Sequence, residues 1–537
     1  MAAQSRLDAH IPKPTVLILR YRRYGLRLLF RALVSAATIL LLYLIYTKDS
    51  ESIVARSAET YKPWTGRWVS SVGVPPSKEA LQDLSMTEKQ CLATFPGLTK
   101  ELESAKSLGN FRYAKLPEDT IGLIQGRIKD NRLYLLAKGV DTEEPGRFMA
   151  ALNQLNRAIL TSPTKLPNIL FSFTTNDNPR DDSWSYSREP HNGIWLMPHF
   201  SFWAWRQPYL GSFPDVWRKI NKIEASYETD SANSTIEASL SSSSSATNSP
   251  WSRKINKAVW RGTTRFNPQW NRQLRPSLLK AAENKPWADV RKIDSKTSDY
   301  PDTNKTLSIE EFCNYKIIIY TEGVTYSGRL NYHQLCRSVM VMPPPVYMQH
   351  ITHLIRPVFS TRLLHNNAES QPYRANRFQT QKQLGVLPTG NDTWPHSYPP
   401  HLANTVFVKP DWSDLEETVE YLLANPELAE RIAQNQRSDL VEKGFFSPAA
   451  ETCYWRALIK TWSEVAVFEE DEINGDFDEE EKTDLAGEGM DEEQKEEVEG
   501  WKMGLSWEVF SVVGGFPDWY KDATIRTTRR KRRKLTE

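Results

Sequence analysis

The sequence predicts an α/β fold built on a parallel sheet, preceded by a single N-terminal transmembrane helix. Three observations predict it. Between Tyr315 and Pro345 a β-branched run (Ile317–Ile319, then Tyr320) is broken by Glu322 and Gly323, and Val339–Met342 resumes strand character before three prolines. That is a strand, a glycine-bearing loop, a helix start and a second strand. Downstream of Arg261, strands and helices alternate to about Val467, the pattern of parallel pairing through crossover helices. Near the N-terminus Ala32–Tyr46 carries no charge, and Leu28–Phe30 extends the apolar run beyond Arg31. The span is slightly short for a bilayer, but an arginine can snorkel to its edge.

Residues 1–27 read as a basic tail and 28–47 as a signal anchor. Arg20, Arg22, Arg23, Arg27 and Arg31 precede the apolar run, while Lys48, Asp49 and Glu51 follow it. Positive charge before the span keeps that end cytosolic and sends the remainder to a lumen, a type II topology. The short span suits the thin membranes of the endoplasmic reticulum or Golgi. Residues 48–119 read as a luminal stem with helices over Lys78–Cys91 and Lys100–Lys106. Leu133–Ala137 and Ile169–Thr174 read as strands, and Gly146–Leu160 as an amphipathic helix. Five tryptophans between Trp184 and Trp217 lie among four prolines, a stretch of turns.

Ser226–Ser252 is serine-rich and low in complexity, an unstructured insert in a lobe spanning 120–256. A second lobe spans 257–467. There Val406–Val408 is a strand, and Ser413 with Glu416 makes a capping box for a helix whose face is Leu415, Val419, Leu422 and Leu423. Pro426 opens the next helix, Gly444 closes it, and Ser447-Pro448 opens a last long one. From Glu469 to Glu499, 17 acidic residues stand against two lysines, and 529–534 is a basic run. Residues 468–537 therefore read as an unstructured tail.

With 537 residues, 39% hydrophobic content and 18 tryptophans, the chain has ample core and is no disordered protein. A net charge of +2 says nothing about nucleic acid by itself, since the two signs are segregated along the chain; no nucleic-acid partner is expected. The terminal basic run resembles a nuclear-localisation signal that a luminal chain cannot use. Four cysteines (Cys91, Cys313, Cys336, Cys453) are an even number suited to one or two disulfides in an oxidising lumen. None has zinc spacing, so no metal is expected. Sequons at Asn233, Asn304 and Asn391 fit a luminal glycoprotein.

The 315–345 unit presents backbone N–H groups where a diphosphate can sit. Ser327 adds a hydroxyl, and Arg329 a guanidinium that forks onto phosphate oxygens. An ordinary crossover with a surface arginine gives the same pattern.

Glu311-Phe-Cys-Asn-Tyr-Lys316 followed by Glu322-Gly-Val-Thr-Tyr-Ser-Gly-Arg-Leu330 resembles the core signature of glycosyltransferase family 90. Ala258-Val-Trp-Arg-Gly-Thr-Thr-Arg265 is similar to that family's aromatic-Arg-Gly-Ser/Thr segment, and Asn176-Asp-Asn-Pro179 to its Asp-x-Pro element. The family includes fungal capsule-associated xylosyltransferases and animal protein O-glucosyltransferases. The resemblance implies two Rossmann-like lobes with a cleft between them (GT-B type). It also implies an inverting, metal-independent transfer of xylose or glucose from a UDP-sugar donor to a glycan or protein acceptor, with no cofactor.

An acceptor hydroxyl is a poor nucleophile until a base takes its proton. The match makes Asp177 that base, with Asp181 and Asp182 as rivals; without it, Asn-Asp-Asn-Pro is simply turn-prone. Arg261 and Arg329, with Arg265 third, are placed at the leaving diphosphate, alongside Gly262 and Gly323. Thr263, Ser327 and Glu322 are hydroxyl or carboxylate candidates for phosphate and ribose. Otherwise Arg261 pairs with a core carboxylate. Glu322 stands where the animal relatives carry arginine. A luminal pseudoenzyme or sugar-binding scaffold is the alternative, disfavoured because Asp177, Arg261 and Arg329 are all present.

Overall fold

The two halves of the chain are patterned differently and build different sheets. A computed structural model describes residues 75–113, 122–139, 146–181, 183–190, 192–205, 210–238 (without the side chains of 229–238), 249–293, 306–365, 397–469, 503–513 and 516. All of these belong to one unit that begins at Pro75. The expected anchor, 28–47, lies outside them, and among the described residues no helix is long and apolar enough to cross a membrane.

In the first half, β1 (Phe111–Arg112) is a short strand, and β2 (Leu123–Lys129) and β3 (Arg132–Lys138) form a hairpin. Its turn residues Asp130 and Asn131 take φ of 51° and 58°, as a two-residue type I′ turn requires. The third strand, β4 (Ile169–Thr174), is buried throughout and pairs antiparallel with β2. The sequence-based expectation of a second Rossmann-like lobe is corrected here. The named strands of this sheet are antiparallel, because a two-residue turn cannot make a parallel crossover. Among the described residues, parallel pairing in this part of the fold comes from the isolated bridges Phe173 to Trp184 and Ser185 to Leu196 and from β1, which pairs with Ala466–Val467. In the tryptophan-rich stretch, β5 (Ala204–Trp205) and β6 (Gly211–Ser212) make a small antiparallel ribbon.

The second half is the predicted parallel sheet. Strands β7 (Ile255–Gly262), β8 (Ala288–Lys292), β9 (Tyr315–Ile319), β10 (Val339–Met342), β11 (Pro357–Phe359) and β12 (Thr405–Phe407) lie in the order β11-β12-β10-β9-β7-β8, every pairing parallel. Continuous apolar runs such as Ile317–Ile319 suit it because a parallel sheet is covered on both faces. One face packs Ala258, Trp260, Ile317, Ile319, Val339 and Val341 against Leu274, Leu278, Leu415, Val419 and Leu422 of crossover helices. The Leu415–Ala424 helix starts at Asp414 rather than at a Ser413 box, and no side-chain cap bond forms there.

The last long helix, Pro448–Val465, is capped by Ser447, whose Oγ accepts from the Ala450 amide at 3.1 Å. Sequence reading placed it in the second lobe, yet it packs on the first sheet. Trp455 Nε1 donates to Gln154 Oε1 at 3.1 Å, Trp462 Nε1 to the Leu170 carbonyl at 3.0 Å, and Tyr454 OH to the Leu196 carbonyl at 3.0 Å. The second half of the expected stem also folds onto it. Helices Glu88–Thr94 and Lys100–Lys106 pack there, Cys91 is disulfide-bonded to Cys453, and β1 pairs with β13 (Ala466–Val467). A second disulfide joins Cys313 and Cys336.

Two segments read as unstructured carry structure. The Phe213–Ala238 helix runs into the serine-rich insert, of which 239–248 lies outside the described residues. Beyond the acidic run, β14 (Leu505–Ser506) pairs antiparallel with β3, and the Trp507–Val513 helix sets Phe510 6.2 Å from Phe148. Trp507 and Phe510 are buried there.

Candidate functional site

The loop after β4 is tied where it leaves the strand. Thr175 donates its amide to the Gly122 carbonyl at 2.8 Å, and Asn176 its amide to Thr174 Oγ1 at 3.1 Å. Asp177 follows, half-exposed, and accepts at Oδ1 from Arg147 Nη1 at 2.9 Å. Arg147 stands at the start of the Gly146–Leu160 helix, its guanidinium carbon 5.1 Å from the centre of the Phe200 ring. The Asp177 carbonyl accepts from Thr325 Oγ1 at 2.8 Å. The aspartate loop of the first sheet is therefore bonded to the 321–329 loop of the second.

Three buried rings surround this junction. The Tyr186 and Tyr326 hydroxyls have no hydrogen-bond partner among the described residues. Burial, then the Asp177 charge, raises Tyr326 well above the usual phenol range; burial likewise raises Tyr186. Burial and the nearby Arg147 cation hold His199 well below the usual imidazole range. Its Nδ1 accepts from the Ser201 amide at 3.2 Å, which leaves the proton of the neutral ring on Nε2. Gly328 lies against that edge. A Cβ there would stand 2.5 Å from His199 Cε1 and 2.9 Å from Trp205 Cζ3, so only glycine lets the loop pass.

The cation side of the site differs from the sequence expectation. Arg261 is buried, and its Nη2 reaches both carboxylate oxygens of Asp289 at 2.9 Å. The alternative foreseen for it, a core ion pair, is what the geometry shows. Its backbone carbonyl accepts from Arg329 Nη1 at 2.5 Å, so Arg261 serves as a strut for Arg329. The helix expected from Arg329 through Leu335 is a single turn, Leu330–His333, too short to hold an anion by its dipole.

A residue overlooked in the sequence completes the pair. Arg275, on the Leu274–Ala281 helix, is buried and donates Nε to Thr321 Oγ1 at 3.2 Å and to the Glu322 carbonyl at 3.1 Å, and Nη1 to the Thr263 carbonyl at 2.9 Å. Burial first, and the Arg329 charge second, lower it to about 9. No carboxylate among the described residues pairs with it. Two neighbouring guanidiniums sharing one charge sign form a site that an anion would relieve. The sequence offered only an arginine twelve residues beyond Thr263, on an amphipathic helix that gave it no distinction.

The remaining candidates have supporting roles. Glu322 is buried, with Oε1 accepting from the Val346 and Tyr347 amides at 2.8 and 2.7 Å and Oε2 from Trp270 Nε1 at 3.2 Å. Those bonds hold the 343–348 loop in place. Gly323 donates its amide to the Thr325 carbonyl at 2.9 Å, and the Ser327 amide bonds Tyr320 OH at 2.9 Å, so neither amide points at a ligand. Thr263 Oγ1 accepts from the Arg265 amide at 3.2 Å, Arg265 is exposed, and Gly262 clears the Trp260 ring, 2.6 Å from a Cβ built there. Asp181 lines a neighbouring pocket; Asp182 lies outside the described residues. Glu224, Cys313 and Cys336 cluster closely enough for a metal, but the sulfurs are disulfide-bonded and Glu224 is paired with Lys254 at 2.7 Å.

A mixed α/β chain with a six-stranded parallel sheet, whose loops carry paired cations and face an anchored aspartate, fits the glycosyltransferases. The model for the family described as Glycosyl transferase family 90 matches residues 87–360, just over half of the chain, and the chain belongs to that family. No curated protein matches it. The match ends at residue 360, so the helix that closes the first sheet, Pro448–Val465, lies beyond it.

Proposed function

We propose that the chain transfers a sugar, xylose or glucose, from a UDP-sugar to an acceptor hydroxyl with inversion. Asp177 is the general base: Arg147 orients the carboxylate at 2.9 Å, and its free oxygen takes the acceptor proton as the hydroxyl attacks the anomeric carbon. Arg275 and Arg329 hold the diphosphate and stabilise its charge as the glycosidic bond breaks. The carrying observation is the 2.8 Å bond from Thr325 to the Asp177 carbonyl, which ties the base to the loop between the two guanidiniums.

The chain is read as a type II protein of the endoplasmic reticulum or Golgi with this region luminal. The arginines before the apolar run support that reading, and so do two disulfides, which persist in oxidising compartments. Full-length protein is tested with a panel of UDP-sugars for donor hydrolysis and transfer, wild type against Asp177→Asn. The amide keeps shape but accepts no proton, so transfer falls about 10²–10⁴-fold while UDP affinity stays within a few-fold. Wild-type turnover by the variant removes Asp177 from the role, and no turnover of any donor by the wild type favours the scaffold reading.

A further inference from the structure

Next to the base, a pocket of about 570 Å³ is lined by residues 178–181, Glu189, Asn192, Ile194, Gln269, Val324 and Tyr347. Its first wall begins at Asn178, the residue after Asp177. Its second wall comes from loops of the parallel sheet, and the Tyr347 part is fixed by the two amide bonds to Glu322. Six of the lining side chains end in a planar fork: Asn178, Arg180, Asp181, Glu189, Asn192 and Gln269. Asn192 Oδ1 is buried and has no hydrogen-bond partner among the described residues.

Resting on the transferase reading above, we propose that this pocket receives the acceptor, and that the acceptor is a carbohydrate of about two or three sugar units rather than a segment of a protein. Three features argue for it. Planar amides, carboxylates and guanidinium offer paired donors or acceptors that match neighbouring hydroxyls on a sugar ring. Acidic and basic forks are mixed on the walls, which suits an uncharged polyol better than an anionic or cationic chain. A protein partner needs a desolvated apolar or aromatic anchor at the centre of its contact, whereas this lining is dominated by polar side chains and encloses a volume typical of small-molecule sites, about 300–1,000 Å³. Tyr347 supplies one aromatic ring for the apolar side of a pyranose.

The full chain is titrated by calorimetry with mannotriose, xylotriose and cellotriose, with a ten-residue serine-bearing peptide, and separately with UDP. At least one trisaccharide should bind, the peptide should not, and Asn192→Leu should weaken the trisaccharide at least tenfold. Gln269→Ala on the opposite wall gives the same readout if Asn192→Leu fails to fold. Binding of the peptide alone, of no trisaccharide, or of a trisaccharide indifferent to both variants overturns the proposal. Loss of UDP binding with trisaccharide binding intact removes the donor reading and leaves the carbohydrate pocket standing. UDP binding with no trisaccharide binding does the reverse.

Discussion

Replacing Arg275 with methionine separates a ligand-binding cation from a structural one. Methionine keeps the length of the stem but removes the guanidinium and its bonds to Thr321 Oγ1, the Glu322 carbonyl and the Thr263 carbonyl, at 2.9–3.2 Å. Those acceptors are uncharged, so each bond contributes about 0.5–1.5 kcal/mol net. Against that loss stand the desolvation of a buried cation and its repulsion from Arg329, the two causes that lower its affinity for a proton. The terms oppose, and the folded state should change by no more than about 1–2 kcal/mol. Binding of UDP has no such compensation. A charge-assisted hydrogen bond to phosphate is worth about 1.5–3 kcal/mol, so the dissociation constant should rise about 10- to 150-fold. Arg261→Met is the control. It breaks a buried pair whose Asp289 partner then stands uncompensated, costing about 3–5 kcal/mol of stability. UDP affinity of its folded fraction should stay within about threefold. Calorimetry with UDP beside thermal melting reads both quantities for both variants. Unchanged UDP affinity in folded Arg275→Met, or lost affinity in stable Arg261→Met, would refute the assignment.

His199, His333 and His350 are all held below the usual imidazole range by burial, His350 at about 3. The native chain keeps them neutral while the unfolded chain binds three more protons below about pH 6.5, so stability falls as pH falls, by up to about 4 kcal/mol per unit; melting across pH 7.5–5 checks this, and His350→Gln should flatten the slope by about a third. Gly328→Ala forces a methyl to within 2.5 Å of His199 and 2.9 Å of Trp205. Overpacking of about 1–3 kcal/mol should lower the melting point and, by displacing the 323–328 loop, weaken UDP binding several-fold; wild-type behaviour in both assays counts against that packing. Cys313→Ala with Cys336→Ala opens a bridge across 23 residues and should cost about 3 kcal/mol in denaturant unfolding.

The parallel sheet was legible because both of its faces are buried, which makes its strands continuous apolar runs such as Ile317–Ile319. The first sheet was expected to be Rossmann-like because the family resemblance implied it, and the type I′ turn at Asp130-Asn131, which lacks the glycine that usually marks one, gave no sign of a hairpin. The family segment alone singled out Asp177, whose turn-prone string argued the other way, and the sequence held no sign that Arg147 would pair with it, since the two stand thirty residues apart. Arg261 and Arg329 have the same residue type beside the same kind of glycine loop. What sets Arg261 apart is the position of Asp289, on a neighbouring strand in register with Val259, which makes it one half of a buried ion pair. Such pairings depend on register, which periodicity does not encode. In the tryptophan-rich stretch Trp195 is buried against Trp462, and Trp205 stands beside His199.

The return of the Pro448–Val465 helix to the first sheet sets a schedule for how the molecule can be made. Strands β2, β3 and β4 emerge from the ribosome early, but the tryptophans that cover them, Trp455 and Trp462, come some three hundred residues later, and Cys91 waits 362 residues for Cys453. At about 5–20 residues per second, that gap is roughly 20–70 s. During that time the early strands expose apolar surface that no neighbour yet shields, while the parallel sheet between them and their partner helix can complete itself. Assembly therefore runs from the middle of the chain outward. A cell that shortens the wait, or that supplies a holding chaperone during it, should recover more native protein than one that only stabilises the finished fold.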